Sequence, residues 1–471
     1  MFSPEDASRQ LNCRLLEPVP GTLITGASLD SRKINAGELF VALPGAVQDG
    51  HVFLEQAYRR GASAALVRRS YLEAHPGLRQ KLFSNLLVVE DPQAAMGQLA
   101  AWRRQLFQGP VIGVTGSVGK TSTKEMLGYL LSFFKKGHVN AGNFNNHLGL
   151  PLSLMGLNPA HGFCLAELGA SHQGEIAHLA GILRPTHGIL TCVAPSHMEG
   201  FGSLEAIYET KLELAAALPE GAPVIIPDND AVLLEKSKRW NRRWLTVGES
   251  AKADYRISEL ALDSEGLGFV LNGTKKYRIP VQAGFLARNA AMAAAMADCL
   301  GFSLAAQPEH WTGFNMPSGR FERRSLNGVT VIFDGYNASP QSFEESLRSF
   351  RALEIPGKRA VVFSDMLELG TEALRYHREL GEALARGRFD AVGCYGEWSK
   401  AALDVYRKAG GKAAFEFKDA GEAGDFLAEA LRPGDGVLLK ASRGMKIEKV
   451  LERFQSRLAD ADDAVTSETG H

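Results

Sequence analysis

Cysteine is scarce. The 471-residue chain has five, Cys13, Cys164, Cys192, Cys299 and Cys394, far apart and without a Cys-x-x-Cys pair. That excludes a disulfide frame and a cysteine zinc site, and fits thiols kept reduced in a cytoplasm. An excess of one charge is lacking too. Lys plus Arg is 52 and Asp plus Glu is 53, a formal net charge of -1, so the chain carries no overall basic footprint for nucleic acid or anionic membrane. A bilayer span needs roughly 18 apolar residues. The longest candidate, Ala290 to Ala306, is interrupted by Asp298. The opening residues show neither the basic segment nor the apolar stretch of a secretory signal. A cytoplasmic protein is expected, with no membrane insertion and no nucleic-acid partner.

What is present fits a folded enzyme. Hydrophobic residues make up 45% and charged residues 22%, enough to bury a core. At roughly 150 residues per domain the length predicts about three domains. Short apolar strands around Leu39, Ala64 and Leu86 alternate with helices near Phe53 to Arg60 and Pro92 to Gln108, before a Gly109-Pro110 break. A second block pairs strands Val111 to Val114, Phe163 to Glu167, Gly188 to Val193 and Val224 to Ile226 with helices, ending in an Ala-rich helix over Asn289 to Leu300. A third, from Pro317-Ser318-Gly319, alternates strands Val329 to Phe333, Ala360 to Ser364, Ala391 to Tyr395 and Gly436 to Lys440 with helices. The pattern predicts an α/β chain with domains over 1–108, 109–317 and 318–459, and a polar, disordered tail over 460–471.

The strongest local signal runs from Val111 to Thr121, V-I-G-V-T-G-S-V-G-K-T. A strand feeds a Gly-rich turn that opens a helix. Backbone N–H groups there suit phosphate oxygens, Lys120 suits the β and γ phosphates, and the Thr121 hydroxyl suits Mg²⁺. Gly116 and Gly119 let the backbone approach closely. Val114 occupies the first position of the usual spacing, with Gly113 one residue early. Glu167, ending an apolar strand beside that loop, is placed to hold a metal. Residues 140–149, N-A-G-N-F-N-N-H-L-G, read either as a turn or as a polar loop against a sugar or phosphate. His197 reads equally as structural or metal-adjacent. Lys211, taken alone, reads as a solvated helix lysine.

Together these stretches resemble the Mur ligase family, ATP-dependent amide-forming enzymes of peptidoglycan precursor synthesis. The resemblance spans about residues 25 to 450 and rests on T-G-S-V-G-K-T-S (115–122), Glu167-Leu168-Gly169, Ser196 to Glu199, Lys211, Ser318-Gly319-Arg320, Asp334 to Asn337 and Lys440 to Arg443. The run Asp30 to Gly45 with Asp49-Gly50-His51 resembles a UDP-sugar-binding domain of the family. Asn143 to Asn146, Glu167 to Glu175, Tyr336 to Pro340 and Asp365 to Gly370 resemble its D-Ala-D-Ala-adding branch. No His precedes Asn289, and Phe333-Asp334 replaces the usual Asp-Asp.

The resemblance implies three domains: a UDP-sugar-binding domain, a central P-loop ATPase domain and a C-terminal Rossmann-like domain. It implies joining of D-Ala-D-Ala to UDP-MurNAc-tripeptide with ATP and Mg²⁺ through an acyl phosphate. The alternative is a sibling that adds a single amino acid. No association element is visible in the sequence, and a monomer is expected. The resemblance further implies ATP contacts from Gly116, Ser117, Val118, Gly119, Lys120, Thr121, Ser122, Asn289, Arg320 and Asp334. Asn289 and Asp334 would face adenosine, and Arg320 the phosphates. Substrate contacts would come from Ser31, Arg32, Asn143, Asn145, Asn146, His172, Tyr336 and Asn337. Thr121 and Glu167 would hold one Mg²⁺, His197 and a carbamylated Lys211 a second. Lys120, Glu167, His197 and Lys211 would be the catalytic set. A hinge is expected near Asn315 to Ser318, closing on ATP.

Overall fold

The computed structural model describes residues 1–45, 48–80, 83–263, 265–302, 308–411 and 413–468. Its strands form three sheets. The first contains β1 (Arg14–Leu16), β2 (Ala27–Ser28), β3 (Leu39–Val41), β4 (Ala64–Arg68) and β5 (Leu86–Val89), in the order β1-β5-β4-β3-β2. Only β1 runs antiparallel.

The central sheet contains β6 (Val111–Thr115), β7 (His138–Val139), β8 (Cys164–Glu167), β9 (His187–Leu190), β10 (Pro223–Pro227), β11 (Arg243–Gly248), β12 (Tyr255–Asp263), β13 (Gly266–Leu271) and β14 (Lys275–Ile279). Its order is β14-β13-β12-β11-β10-β9-β6-β8-β7. Strand β6 is wholly buried between parallel neighbours β8 and β9, which is why it reads as an unbroken apolar run. The antiparallel meander β12 to β14 is absent from the sequence reading. Strand β12 is mostly exposed, and Glu259, at φ 51°, sits in a register shift between Ser258 and Ala261 that interrupts its two-residue period, whereas β13 is a short, buried apolar run that periodicity alone does not mark as a strand.

The third sheet contains β15 (Glu322–Leu326), β16 (Val329–Asp334), β17 (Arg359–Phe363), β18 (Ala391–Cys394), β19 (Ala414–Glu416) and β20 (Gly436–Lys440), in the order β15-β16-β20-β17-β18-β19. It is parallel except at β15. The carboxyl ends of β16, β20 and β17 form a switch point, where open α/β sheets bind ligands.

Two helices connect these units. Pro92–Gln105, capped by Asp91, sends Met96 and Leu99 into the first core and Ala100 into the central one. From it the buried Arg104 donates to the carbonyls of Leu183 at 2.7 Å and Arg184 at 2.8 Å. The helix assigned from sequence to the first domain therefore fastens that domain to the second. The Ala-rich helix Leu286–Cys299 packs on the helix after the P-loop, Lys120–Ser132, in an apolar cluster that continues to Ile332, Val361 and Leu438 of the third sheet. Of the run Ala290 to Ala306, residues 303–306 lie outside the described residues. Among the described residues no helix is long and apolar enough to cross a membrane.

The last helix spans Glu448–Glu468. It starts on a packed face at Val450, Leu451 and Phe454, and once nucleated a helix propagates through residues free of Gly and Pro. Residues 469–471 lie outside the described residues.

Candidate active site

The carboxyl ends of the central and third sheets face one cavity of about 560 Å³. The P-loop forms its floor. Gly116 has φ +144°, and a Cβ there would lie 2.1 Å from the Thr191 hydroxyl. Gly119 has φ +88° and would press on Asn289 at 2.8 Å. Both positions require glycine for conformation and for space. The chain after β9 pins the loop from behind: Ser117 N donates to Cys192 O at 2.8 Å, Ser117 Oγ to Ala194 O at 2.8 Å and Thr191 Oγ1 to Val118 O at 2.6 Å. The loop is thus preorganised by protein partners.

Lys120 is half-buried and curls over this loop, donating to Gly116 O at 2.7 Å and Ser117 O at 3.0 Å. The loop's own carbonyls hold the ammonium at the cavity floor. Burial lowers its pKa, while the nearby Glu167 opposes that shift.

Glu167, 2% exposed at the end of β8, accepts from Thr121 Oγ1 at 2.5 Å and from Asn145 Nδ2 at 2.7 Å. Arg320, from the third domain, donates to the same Thr121 hydroxyl at 2.7 Å. Its guanidinium lies 3.9 Å from the centre of the Tyr336 ring. Among the described residues this buried carboxylate has neutral hydrogen-bond donors and no ion pair. No cluster of three or more His, Cys, Asp or Glu capable of holding a metal occurs among them. Thr121 and Glu167 nevertheless offer adjacent hard oxygens beside the phosphate turn, a donor set that suits Mg²⁺ when phosphate oxygens and water complete it.

His197, at φ 51°, begins the short helix Met198–Phe201. Its Nδ1 meets the carboxylate of Glu368 from the third domain. Glu199 N donates to Glu368 O at 3.1 Å, tying the same segments together. Lys211, on the helix Leu204–Ala217, is 1% exposed, not solvated. Its Nζ lies 5.4 Å from the centre of the Phe201 ring. Burial, then repulsion from Lys120, lowers its pKa to about 7.

The other expected contacts divide. Ser122, Val118, His172, Asn143, Asn337 and Tyr336 line the cavity. Asn289 also lines it, and donates to Gly119 O at 3.3 Å. Asp334 reaches the cavity, but its carboxylate is engaged within the protein: it accepts from Lys440 Nζ at 2.6 Å, Ser346 Oγ at 2.6 Å and Phe321 N at 3.1 Å. Asn145 and Asn146 line the cavity too; Asn146 Oδ1 accepts from Gly149 N at 2.8 Å, and Asn145 is turned toward Glu167. Ser31 and Arg32 do not line this cavity. Ser31 is buried against Gln56 at 2.6 Å, and the exposed Arg32 forms two 2.9 Å bonds to Asp30. Sequence reasoning missed Glu368 and Lys440 as site residues. Both lie in stretches recognised by their pattern, but only the fold shows that they meet His197 and Asp334.

Residues 23–104 match the Mur ligase family catalytic domain, 114–297 the Mur ligase middle domain, and 319–443 the Mur ligase glutamate ligase domain. The UDP-N-acetylmuramoyl-tripeptide–D-alanyl-D-alanine ligase of Bacillus subtilis (strain 168) is 33% identical over 92% of this chain and 93% of its own length. The chain belongs to the Mur ligase family. The Escherichia coli (strain K12) ligase of the same description is also 33% identical, over 92% of this chain and 94% of its own. Among solved structures, MurF from Acinetobacter baumannii superimposes with a TM-score of 0.82 at 28% identity, covering 97% of this chain and 99% of that one. MurF ligase from Thermotoga maritima, in complex with ADP, gives 0.79 at 30% identity, covering 94% and 100%.

Within this Mur ligase, Glu368→Gln tests the interdomain contact. With His197 in the metal-holding role that the resemblance implies, a residue that orients it would be worth about 10- to 100-fold. The variant should lose about tenfold in kcat with the KM for ATP little changed. Wild-type kcat in a steady-state assay would show that the contact has no catalytic consequence.

Proposed function

We propose that the chain joins D-Ala-D-Ala to UDP-MurNAc-tripeptide, converting ATP to ADP and phosphate and giving UDP-MurNAc-pentapeptide. The observation that carries this reading is the Thr121–Glu167–Arg320 junction beside Lys120, where a P-loop and a second α/β domain meet at one cavity. Its support comes from relatives of that activity aligned over almost the whole chain.

A carboxylate is a poor acyl donor. Its oxygen attacks the γ-phosphorus, the bond to the β-phosphate oxygen breaks, and ADP leaves. The amine of D-Ala-D-Ala then attacks the acyl carbon, loses a proton, and expels phosphate. Phosphoryl transfer needs alignment and charge neutralisation above all. Lys120 holds positive charge at the cavity floor and Arg320 supplies it from the third domain. Thr121 and Glu167 would hold one Mg²⁺, and His197 with a carbamylated Lys211 a second; bound there, Mg²⁺ neutralises phosphate charge. His172, Asn143, Tyr336 and Asn337 face the reacting peptide ends. The protein acts as a cytoplasmic monomer, with domains over 1–108, 109–317 and 318–459.

The decisive assay measures ADP release with UDP-MurNAc-tripeptide, with and without D-Ala-D-Ala. Release should depend on the dipeptide. Release driven instead by one free amino acid and UDP-MurNAc-dipeptide would establish the sibling activity.

The UDP group is assigned to the first domain, toward Ser31 and Arg32. The Arg32 guanidinium is exposed and pairs with a single carboxylate, so its fork can turn to a diphosphate. Loss of a charged hydrogen bond is worth about 1.5–3 kcal/mol. Arg32→Ala should therefore raise the KM for the UDP substrate about tenfold or more, leaving that for ATP little changed. A selective rise in the ATP KM would reverse the assignment of substrates to domains.

A further inference from the structure

Lys124 stands one turn beyond Thr121 on the helix after the P-loop, so the two residues share a face. Its side chain is completely buried. The ammonium has three donors, and three acceptors surround it: Asn140 O at 2.6 Å, Glu125 Oε1 at 2.8 Å and Gly142 O at 3.4 Å. With its donors so placed it has none left for a phosphate, unlike Lys120. Two of the acceptors belong to the Asn-rich loop, and that loop is bound to Glu167. Asn140 Oδ1 accepts from Glu167 N at 3.0 Å, and its Nδ2 donates to Glu167 O at 3.3 Å. Asn145 Nδ2 donates to the carboxylate itself at 2.7 Å. Thr121 closes the circuit at 2.5 Å from the other carboxylate oxygen.

We infer that Lys124 is a positioning residue: by holding the carbonyls of Asn140 and Gly142 it fixes the 140–146 loop, and through that loop the direction of the Glu167 carboxylate. The physical need is clear. A buried carboxylate with free rotation about its last bonds would offer its oxygens to Thr121 and to a cation only part of the time. Two amide groups on a tethered loop hold the backbone and one oxygen of Glu167, leaving the other aimed at the Thr121 hydroxyl. The consequence for magnesium rests on the proposed role of Glu167, whereas the consequence for the loop does not.

Lys124→Met keeps the length of the side chain and removes every donor. Two measurements on the full chain test it. In the ligand-free protein, amide hydrogen exchange over residues 140–146 should accelerate at least tenfold, with the helix Lys120–Ser132 still protected. Calorimetry with a β,γ-methylene ATP analogue should show that Mg²⁺ tightens binding in the wild type and tightens it at least tenfold less in the variant, with equal affinities in EDTA. Asn145→Ala should lose the same enhancement, and the double variant should be no worse than either single one. Should Lys124→Met fail to fold, Lys124→Gln, which keeps an amide donor on a shorter stem, is read in the same way. Unchanged loop exchange, an intact magnesium enhancement, or additive losses in the double variant would overturn the inference. A wild type whose analogue binding ignores Mg²⁺ would instead overturn the assignment of Glu167.

Discussion

Lys120→Ala should abolish ATP turnover in a protein that still folds. The ammonium is held at the cavity floor by Gly116 O and Ser117 O, within a loop whose shape is fixed independently by Ser117, Thr191 and the chain after β9. Removing it leaves that framework standing. The cost to stability is about that of ordinary hydrogen bonds, on the order of 1 kcal/mol each. The cost to chemistry is larger, because charge develops on the transferring phosphoryl group just where a preorganised cation is lost. Single groups of that kind are worth about 10²- to 10³-fold. ADP release should therefore fall at least that far while the circular dichroism spectrum is kept and thermal unfolding shifts by only a few degrees. Turnover near that of the wild type would refute the phosphate-loop assignment.

The same loop shows what can be read from a sequence. Strand, glycine turn and helix between Val111 and Ser132 are local features whose residue types follow from local geometry, and the sequence places them well. Glu167 is legible because a carboxylate ending a buried strand beside such a loop has few structural reasons to be there. The pairing of His197 with Glu368 is not legible, since it spans two domains and depends on how they dock. Asp334 is legible through the resemblance alone, which does not show its partners: the fold brings Lys440 and Ser346 to it. Lys124 is hidden for a third reason. A lysine within a helix reads as solvated, and only the loop folded over it makes it a core residue. The meander β12 to β14 escapes because the alternation of the exposed β12 is broken by a bulge, and the buried run of β13 is too short to declare its type by periodicity.

Lys211→Ala should lose most activity, about 10²-fold or more by the measure of other preorganised electrostatic groups, and regain part of it with added short-chain carboxylates. The proposal behind this is that Lys211 works as a carbamate. Its ammonium is 1% exposed, near the Phe201 ring, with no carboxylate ion pair among the described residues. A charge so placed is costly, of order several kcal/mol. The protein relieves the cost by favouring the neutral amine, and burial with the repulsion of Lys120 brings the pKa to about 7. For the unmodified side chain the unfolded state binds the extra proton between about pH 7 and the ordinary lysine value of 10.5, so stability in carbon dioxide-free buffer should rise over that interval, and Lys211→Met should flatten the rise. A neutral amine also adds carbon dioxide. The nitrogen lone pair forms the N–C bond, a C=O π bond of carbon dioxide opens onto its oxygen, and one proton leaves the nitrogen, giving the carbamate. The group changes from +1 to -1, so repulsion from Lys120 becomes attraction, and two oxygens suited to Mg²⁺ replace a group that repels it. Acetate or a similar anion, bound in the space left by Ala, restores those oxygens without the tether, which is why rescue should be partial. Full activity in Lys211→Ala, or a bare amine at Lys211 in a crystal of the active Mg²⁺–ATP complex, would show that the lysine acts unmodified.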